Sequence, residues 1–398
     1  MWSSKILLVT AGAALLVFAA LLIGFYSKSS FSEEALFYFN EDFLGRASEY
    51  QRISLQIYLA RTLIMWAALA GILLFSWRHF SRLAPISLSH AAAYIALIFL
   101  ALYLLTLPLD YYRGFVLESR FGLTAHTPAT WAMDYLINRS ISLLLTVLSF
   151  TGLYALMQYY PSRWWYIAGV FSALFIIAGT YLYPLIIDPL FYNFEPLQDE
   201  AMNSRIIIMA EDVGIQVDEV LVADASRKTT KANAYFTGLG GSKRIVVYDT
   251  LLSGFSQHEA LAVIAHEIAH WKYAHITKGI LLGIGQAFIT LFLLSLVLKE
   301  LSITQAAASR ADFRAIIIAI IFFTLISFVS MPIQNAISRA FEREADLMAI
   351  ELTRMKELQV TLHKNLAQAN LSNVEPHPLI KAVLYTHPPT LERINLAR

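Results

Sequence analysis

The run His266-Glu267-Ile268-Ala269-His270 sets two imidazoles four residues apart, on one face of a helix, where both can bind a single metal ion. Glu267 lies beside them and offers the carboxylate that takes a proton from water in zinc hydrolases. The chain has no cysteine, so histidines and carboxylates are its only plausible metal ligands. A catalytic zinc needs three protein ligands and one position left for water, so this run is half a site. The extended motif H-E-x-x-H-x-x-G-x-x-H is excluded, because Tyr273 and Ile276 stand where it requires glycine and histidine. His275 lies nine residues after His266. On a continuous helix that is about 180° round the axis, and His275 is expected to face away.

The next apolar segment, Gly279 to Leu298, contains no acid and no histidine. Beyond the following one, Glu342 and Asp346 again stand four residues apart, with Glu344 about 160° from each on a helix. Glu342 can serve as the third ligand while Asp346 accepts the outer N–H of a ligand imidazole, fixing its tautomer. The plainer alternative is an exposed acidic turn paired with Arg339 and Arg343. Two further candidates would act on substrate. Asn233-Ala234-Tyr235-Phe236 can form a strand edge that pairs with an extended peptide, although an ordinary hairpin strand fits the same residues. His387, before Pro388-Pro389 in a stiff non-helical segment, can donate a hydrogen bond to a tetrahedral oxyanion; a surface-loop histidine is the alternative. The remaining histidines, His363 among them, show no ligand spacing and receive no role.

The elements that would position these groups belong to a membrane protein. Of 398 residues, 57% are hydrophobic and 15% charged, against roughly 25% charged in an average soluble domain. Thirty Lys and Arg against 29 Asp and Glu leave a net charge of +1, which provides no basic excess for a nucleic-acid partner. Seven apolar runs are long enough to cross a bilayer: Ile6 to Tyr26, Ile57 to Trp77, Leu88 to Leu107, Ile141 to Tyr159, Trp164 to Ile186, Gly279 to Leu298 and Ala315 to Ile337. Ser30 to Gln56 mixes aromatics with acids and is expected to form an interfacial helix. The aromatic, polar segment Asp110 to Arg139 is expected to pack against another domain.

The expected architecture is an α-helical polytopic protein carrying a small α+β metalloprotease domain. Residues 1–187 would form the first five spans and 188–278 the protease domain. Residues 279–337 would form the last two spans, and 338–398 a helical part completing the site. Within 188–278, a helix stopped at Gly214 is followed by a strand at Glu219 to Ala223. A hairpin of Ala232 to Thr237 and Arg244 to Asp249 turns through Gly238-Leu239-Gly240-Gly241. Ser256 and Glu259 form a capping box, opening a helix with no Pro or Gly before Gly279. An odd number of spans puts the HExxH segment and the segment after the seventh span on one side of the membrane, where they can meet.

Together these stretches resemble the type I CAAX prenyl proteases, the integral-membrane zinc endopeptidases of eukaryotes and their bacterial relatives. The resemblance covers nearly the whole chain. It is carried by Glu118-Ser119-Arg120-Phe121-Gly122-Leu123, Asp188-Pro189-Leu190-Phe191, Asn233-Ala234-Tyr235-Phe236, Arg244 to Leu252, HExxH, Phe341 to Asp346, and His387-Pro388-Pro389 with Glu392-Arg393. It implies seven spans enclosing a chamber, one Zn²⁺ per chain on His266, His270 and Glu342, Glu267 as base, and Asn233 and His387 near the substrate. It also implies a peptide or protein substrate ending in a prenylated C-a-a-X sequence, reached among membrane lipid. The brief stretch Lys299 to Arg314 looks like that of a bacterial relative, which implies an inner-membrane location; a eukaryotic member would lie in the endoplasmic reticulum. Within proteolysis, quality control of non-prenylated membrane proteins is the rival. From another class, a transporter or lipid-binding chamber would use a structural metal, with four protein ligands and no use for Glu267.

Overall fold

The computed structural model describes residues 4–27, 30–79, 86–217, 219–237, 244–301 and 312–398. The predicted turn at Gly238 to Gly241 and most of the Lys299 to Arg314 stretch lie outside the described residues. The first part of the chain comprises α1 (Lys5–Tyr26), α2 (Glu33–Tyr38), α3 (Glu41–His79), α4 (Leu88–Tyr111), α5 (Glu118–Arg120), α6 (Pro128–Tyr159) and α7 (Trp164–Leu182). Then come β1 (Phe194–Pro196), α8 (Glu200–Glu211), β2 (Glu219–Ala223), β3 (Ala234–Thr237), β4 (Arg244–Tyr248), α9 (Asp249–Gly254) and α10 (Gln257–Lys272). The last part holds α11 (His275–Glu300), α12 (Arg314–Thr353), α13 (Lys356–Ala369), α14 (Pro378–Leu384) and α15 (Thr390–Leu396).

Seven of these helices are long and apolar enough to cross a membrane, as the hydropathy pattern requires. Their outward faces are greasy: Leu8, Leu15, Leu16 and Ile23 of α1 are each more than half exposed, which suits lipid and not water. Inside the bundle, Asp110 of α4 accepts from Arg61 of α3 and Arg139 of α6, each at 2.8 Å, so one carboxylate ties three helices. A charge in that setting is retained only when paired.

Two helices run further than the sequence pattern predicts. Glu41 to Gln56 is not a separate interfacial helix, because α3 continues unbroken from Glu41 through the second span. Likewise α12 does not end with the seventh span; it carries its apolar stretch on to Thr353 as a single helix of 40 residues. The segment after Asp110 packs as expected on the protease part: Thr124 bridges Thr229, and the Ala125 N–H donates to Lys228 O at 3.0 Å.

The sheet has the order β1-β2-β4-β3, with β2 and β4 parallel and the outer pairs antiparallel. Its core comprises Ile245 and Val247 of β4 with Ile206 of α8 and Ile264 and Ile268 of α10. This packing lays α10 across the sheet. Ser256 starts α10 with both halves of the capping box in place: its Oγ accepts from the Glu259 N–H at 3.3 Å, and the Glu259 carboxylate accepts from the Ser256 N–H at 2.9 Å. Asn365 of α13 donates to the same carboxylate at 2.6 Å. Ser256→Ala is expected to lower unfolding stability by about 1 kcal/mol. Thermal unfolding in detergent measures that loss, with metal content unchanged.

Candidate metal centre

α10 contributes His266, Glu267 and His270, and α12 contributes Glu342 and Asp346. Helical spacing puts each set on one face, and contact between the helices closes the gap of two membrane helices that separates them in sequence. His266 Nε2 lies 3.0 Å from His270 Nε2 and 3.2 Å from Glu342 Oε2, and His270 Nε2 lies 3.3 Å from Glu342 Oε1. Zinc bonds of about 2.0–2.1 Å at tetrahedral angles place ligand atoms about 3.3 Å apart. The three side chains therefore fit such an ion.

Two further observations agree with that fit. Glu342 Oε2 is buried, and among the described residues no aligned hydrogen bond reaches it, although two imidazoles are close. Three carboxyl groups, those of Glu267, Glu342 and Asp346, gather around the one guanidinium of Arg393, an acid-rich set that suits a divalent cation.

Asp346 Oδ1 lies 2.9 Å from His266 Nδ1, where an ionised carboxylate keeps the imidazole proton on that nitrogen and leaves the Nε2 lone pair for metal. The contact is close but not aligned as a full hydrogen bond, so the attraction is largely electrostatic. Arg393 of α15 grips Asp346 with two bonds, Nε to Oδ2 at 2.9 Å and Nη2 to Oδ1 at 2.5 Å. The alternative of an exposed acidic turn is excluded by this burial and by Arg339, whose guanidinium serves the Lys381 and Tyr385 carbonyls instead.

Glu267 sits beside the ligands and accepts from the Phe236 N–H at 3.3 Å. Burial pushes its carboxyl up from the ordinary glutamate value, while His266 and His270 pull it back. β3 is one of the sheet's two edge strands, β1 being the other. The carbonyl of Asn233, just before it, faces β4 and accepts from the Tyr248 N–H, so ladder alternation turns Ala234 and Phe236 outward toward the site. Cavities of about 370 and 420 Å³ adjoin this edge, and Asn233, Ala234, His266, Glu267 and His387 line both. His387 Nε2 stands 3.3 Å from Glu342 Oε2, bringing this histidine to the metal centre.

One sequence expectation is overturned. His275 does not face away: α10 ends at Lys272, Ala274 takes a left-handed φ of 54°, and His275 opens α11 with its Nδ1 2.9 Å from His270 Nδ1. Glu344, set apart from Glu342 by the helix, reaches His275 Nε2 at 3.0 Å.

Sequence reasoning assigned no role to Arg393 or His363. Arg393 follows the His387-Pro388-Pro389 turn, yet only the folded chain shows it on Asp346. His363 lies behind the site in the smaller cavity, where burial and the Arg393 charge hold its pKa down at about 3, so it stays neutral.

Residues 196–398 match the family model of peptidase family M48. The chain belongs to that family. Residues 14–193 match a second model, described as the CAAX prenyl protease N-terminal region with five membrane helices. The Bacillus subtilis protein described as uncharacterized metalloprotease YhfN is 31% identical over 317 residues, covering 79% of this chain and 74% of its own. CAAX prenyl protease 1 of Saccharomyces cerevisiae is 31% identical over 311 residues, covering 73% and 68%. The crystal structure of S. mikatae Ste24p superimposes with a TM-score of 0.81 over 100% of both chains at 24% identity, which shows a shared fold. As an M48 member with seven apolar helices, the chain is a multi-pass integral-membrane metalloendopeptidase of the type I CAAX prenyl protease family.

Arg393→Ala would leave Asp346 buried without its cation, and a broken buried pair costs about 3–5 kcal/mol. The variant is expected to unfold at lower temperature and to hold metal more weakly against a competing chelator. Arg393→Lys, which keeps charge but loses the two-pronged grip, should fall between it and wild type.

Proposed function

We propose that this peptidase cleaves extended peptides with a zinc ion held by His266, His270 and Glu342, with Glu267 as general base. The observation that carries the reading is the set of three candidate ligand side chains that approach one another to 3.0–3.3 Å, through both oxygens of Glu342, with the Glu267 carboxylate beside them and a strand edge above. When bound, zinc supplies a Lewis acid that polarises the scissile carbonyl and acidifies water. The other steps belong to the chain's own side chains.

The outward N–H and carbonyl of Ala234 and the outward carbonyl of Phe236, with Asn233, hold the peptide as an added strand, while the Phe236 N–H stays on Glu267. Glu267 accepts a proton from the attacking water as its oxygen bonds to the carbonyl carbon. The same carboxyl then gives that proton to the amine nitrogen as the C–N bond breaks. Its raised pKa makes the carboxylate the stronger base for taking up that proton. His387, adjoining Glu342, donates from Nε2 to the oxyanion. Asp346, held by Arg393, keeps His266 in the ligating tautomer.

For substrate we propose the CAAX type, removal of the last three residues after a prenylated cysteine. The yeast and plant relatives carry this activity in their names, and the five-helix model that the first half of the chain matches is described by it. A lipid-modified C-terminus also suits a site built at the end of membrane helices. Quality control of non-prenylated membrane proteins remains the competing substrate class.

Glu267→Gln should keep one zinc per chain and lose on the order of 10²–10⁴ in turnover of a farnesylated CAAX peptide. Near-wild-type turnover by the purified variant would remove Glu267 from the mechanism. Glu342→Ala should lose zinc, as read by atomic emission. Equal cleavage of farnesylated and unmodified peptides would favour the quality-control substrate class.

A further inference from the structure

We propose that His275 and Glu344 form a relay that fixes the tautomer of His270, making both positioning residues for the metal. The inference rests on the reading of His270 as a ligand. His270 Nε2 points at His266 and Glu342, and its other nitrogen, Nδ1, lies 2.9 Å from His275 Nδ1. Two imidazole nitrogens at that distance need one hydrogen between them, and the far end of the chain decides which ring provides it.

Glu344 Oε2 lies 3.0 Å from His275 Nε2. An ionised carboxylate can only accept, so the hydrogen of neutral His275 resides on Nε2. Its Nδ1 is then a lone pair and must accept, which places the hydrogen of His270 on Nδ1. His270 Nε2 is left as a lone pair, facing the His266 lone pair that Asp346 enforces. Two such lone pairs 3.0 Å apart repel unless a cation lies between them. Both ligand histidines are therefore oriented by carboxylates, His266 directly and His270 through an intermediate ring.

The surroundings hold that intermediate ring in place. Phe341 stacks on His275 with centroids 4.4 Å apart and planes 9° from parallel, and Tyr273 flanks it at 5.7 Å. The His275 side chain is only 4% exposed, whereas that of Glu344 is 49% exposed. The relay thus ends near solvent, where Lys278 Nζ approaches Glu344 at 3.8 Å. Because His275 is the first residue of α11, the orientation of a ligand in α10 is tied to the start of a membrane helix.

The test measures the zinc dissociation constant of the full-length chain in detergent, by competition with a chromophoric chelator, beside the unfolding temperature of the zinc-free protein. His275→Phe keeps the stacked ring and removes both nitrogens. It should weaken zinc on the order of 10–100-fold, with the zinc-free unfolding temperature unchanged. His275→Asn restores an acceptor near the Nδ1 position and should recover most of the loss. Glu344→Ala should weaken zinc in the same direction and Glu344→Gln should not, since its amide oxygen still accepts. The double variant His275→Phe with Glu344→Ala should bind no more weakly than His275→Phe, because Glu344 acts only through the ring. Wild-type affinity in both His275→Phe and Glu344→Ala overturns the relay, as does a double variant whose losses add. If His275→Phe fails to fold, the half-exposed Glu344 pair decides alone. A wild type that takes up no zinc, or an unchanged affinity in His270→Ala, overturns the ligand reading and the relay with it.

Discussion

The site depends on α10 lying against α12. Neither helix holds a complete set of ligands, and imidazoles converge on a carboxylate to within 3.3 Å only if the two backbones are held at a fixed distance and rotation. Both helices bury alanines around the ligands: Ala262, Ala265 and Ala269 on α10, Ala345 and Ala349 on α12. Short side chains at such positions let helices approach closely. Behind α10, Ile264 and Ile268 are fully buried in the core shared with the sheet, so the face bearing the ligands cannot turn without exposing them.

That geometry concentrates negative charge. Glu342 and Asp346 stand one helical turn apart and both are buried, which is unfavourable unless each finds an opposite charge. Asp346 finds Arg393, brought by α15 at the end of the chain, and the ligand atom of Glu342 is left for a cation. The C-terminal residues consequently reach the candidate metal centre: Arg393 grips Asp346, Asp346 lies against His266, and His387 adjoins Glu342. The protease part is assembled from both sides of two membrane helices, so its core and the bundle must form together.

Much of this was legible because the chemistry is local. HExxH offers two candidate ligands and a candidate base by spacing alone, and Glu342 and Asp346 follow as candidates once nearer third ligands are eliminated. The capping box at Ser256 fixed where α10 begins. Its end was not legible. The left-handed residue that terminates it is Ala274, and only glycine or asparagine there would have announced the stop. With the break unseen, helical arithmetic sent His275 to the wrong side and left Glu344 without a partner. The continuations of α3 and α12 were hidden for a different reason: hydropathy marks where a helix becomes too polar for lipid, not where its hydrogen-bond ladder ends. Arg393 carries no spacing signal, since its partner is 47 residues away.

These continuations change what the membrane helices do. α12 is one helix from Arg314 to Thr353, bearing an apolar stretch at one end and Glu342 and Asp346 at the other. α11 begins five residues after His270 and supplies the ring against it. Displacement of either membrane helix relative to α10 therefore moves a ligand or its support. Misplacing reacting groups by about 1 Å can cost on the order of 10²-fold in rate. The bundle is then not merely an anchor for a peptidase. It sets the distances between the candidate ligands and the side chains that support them.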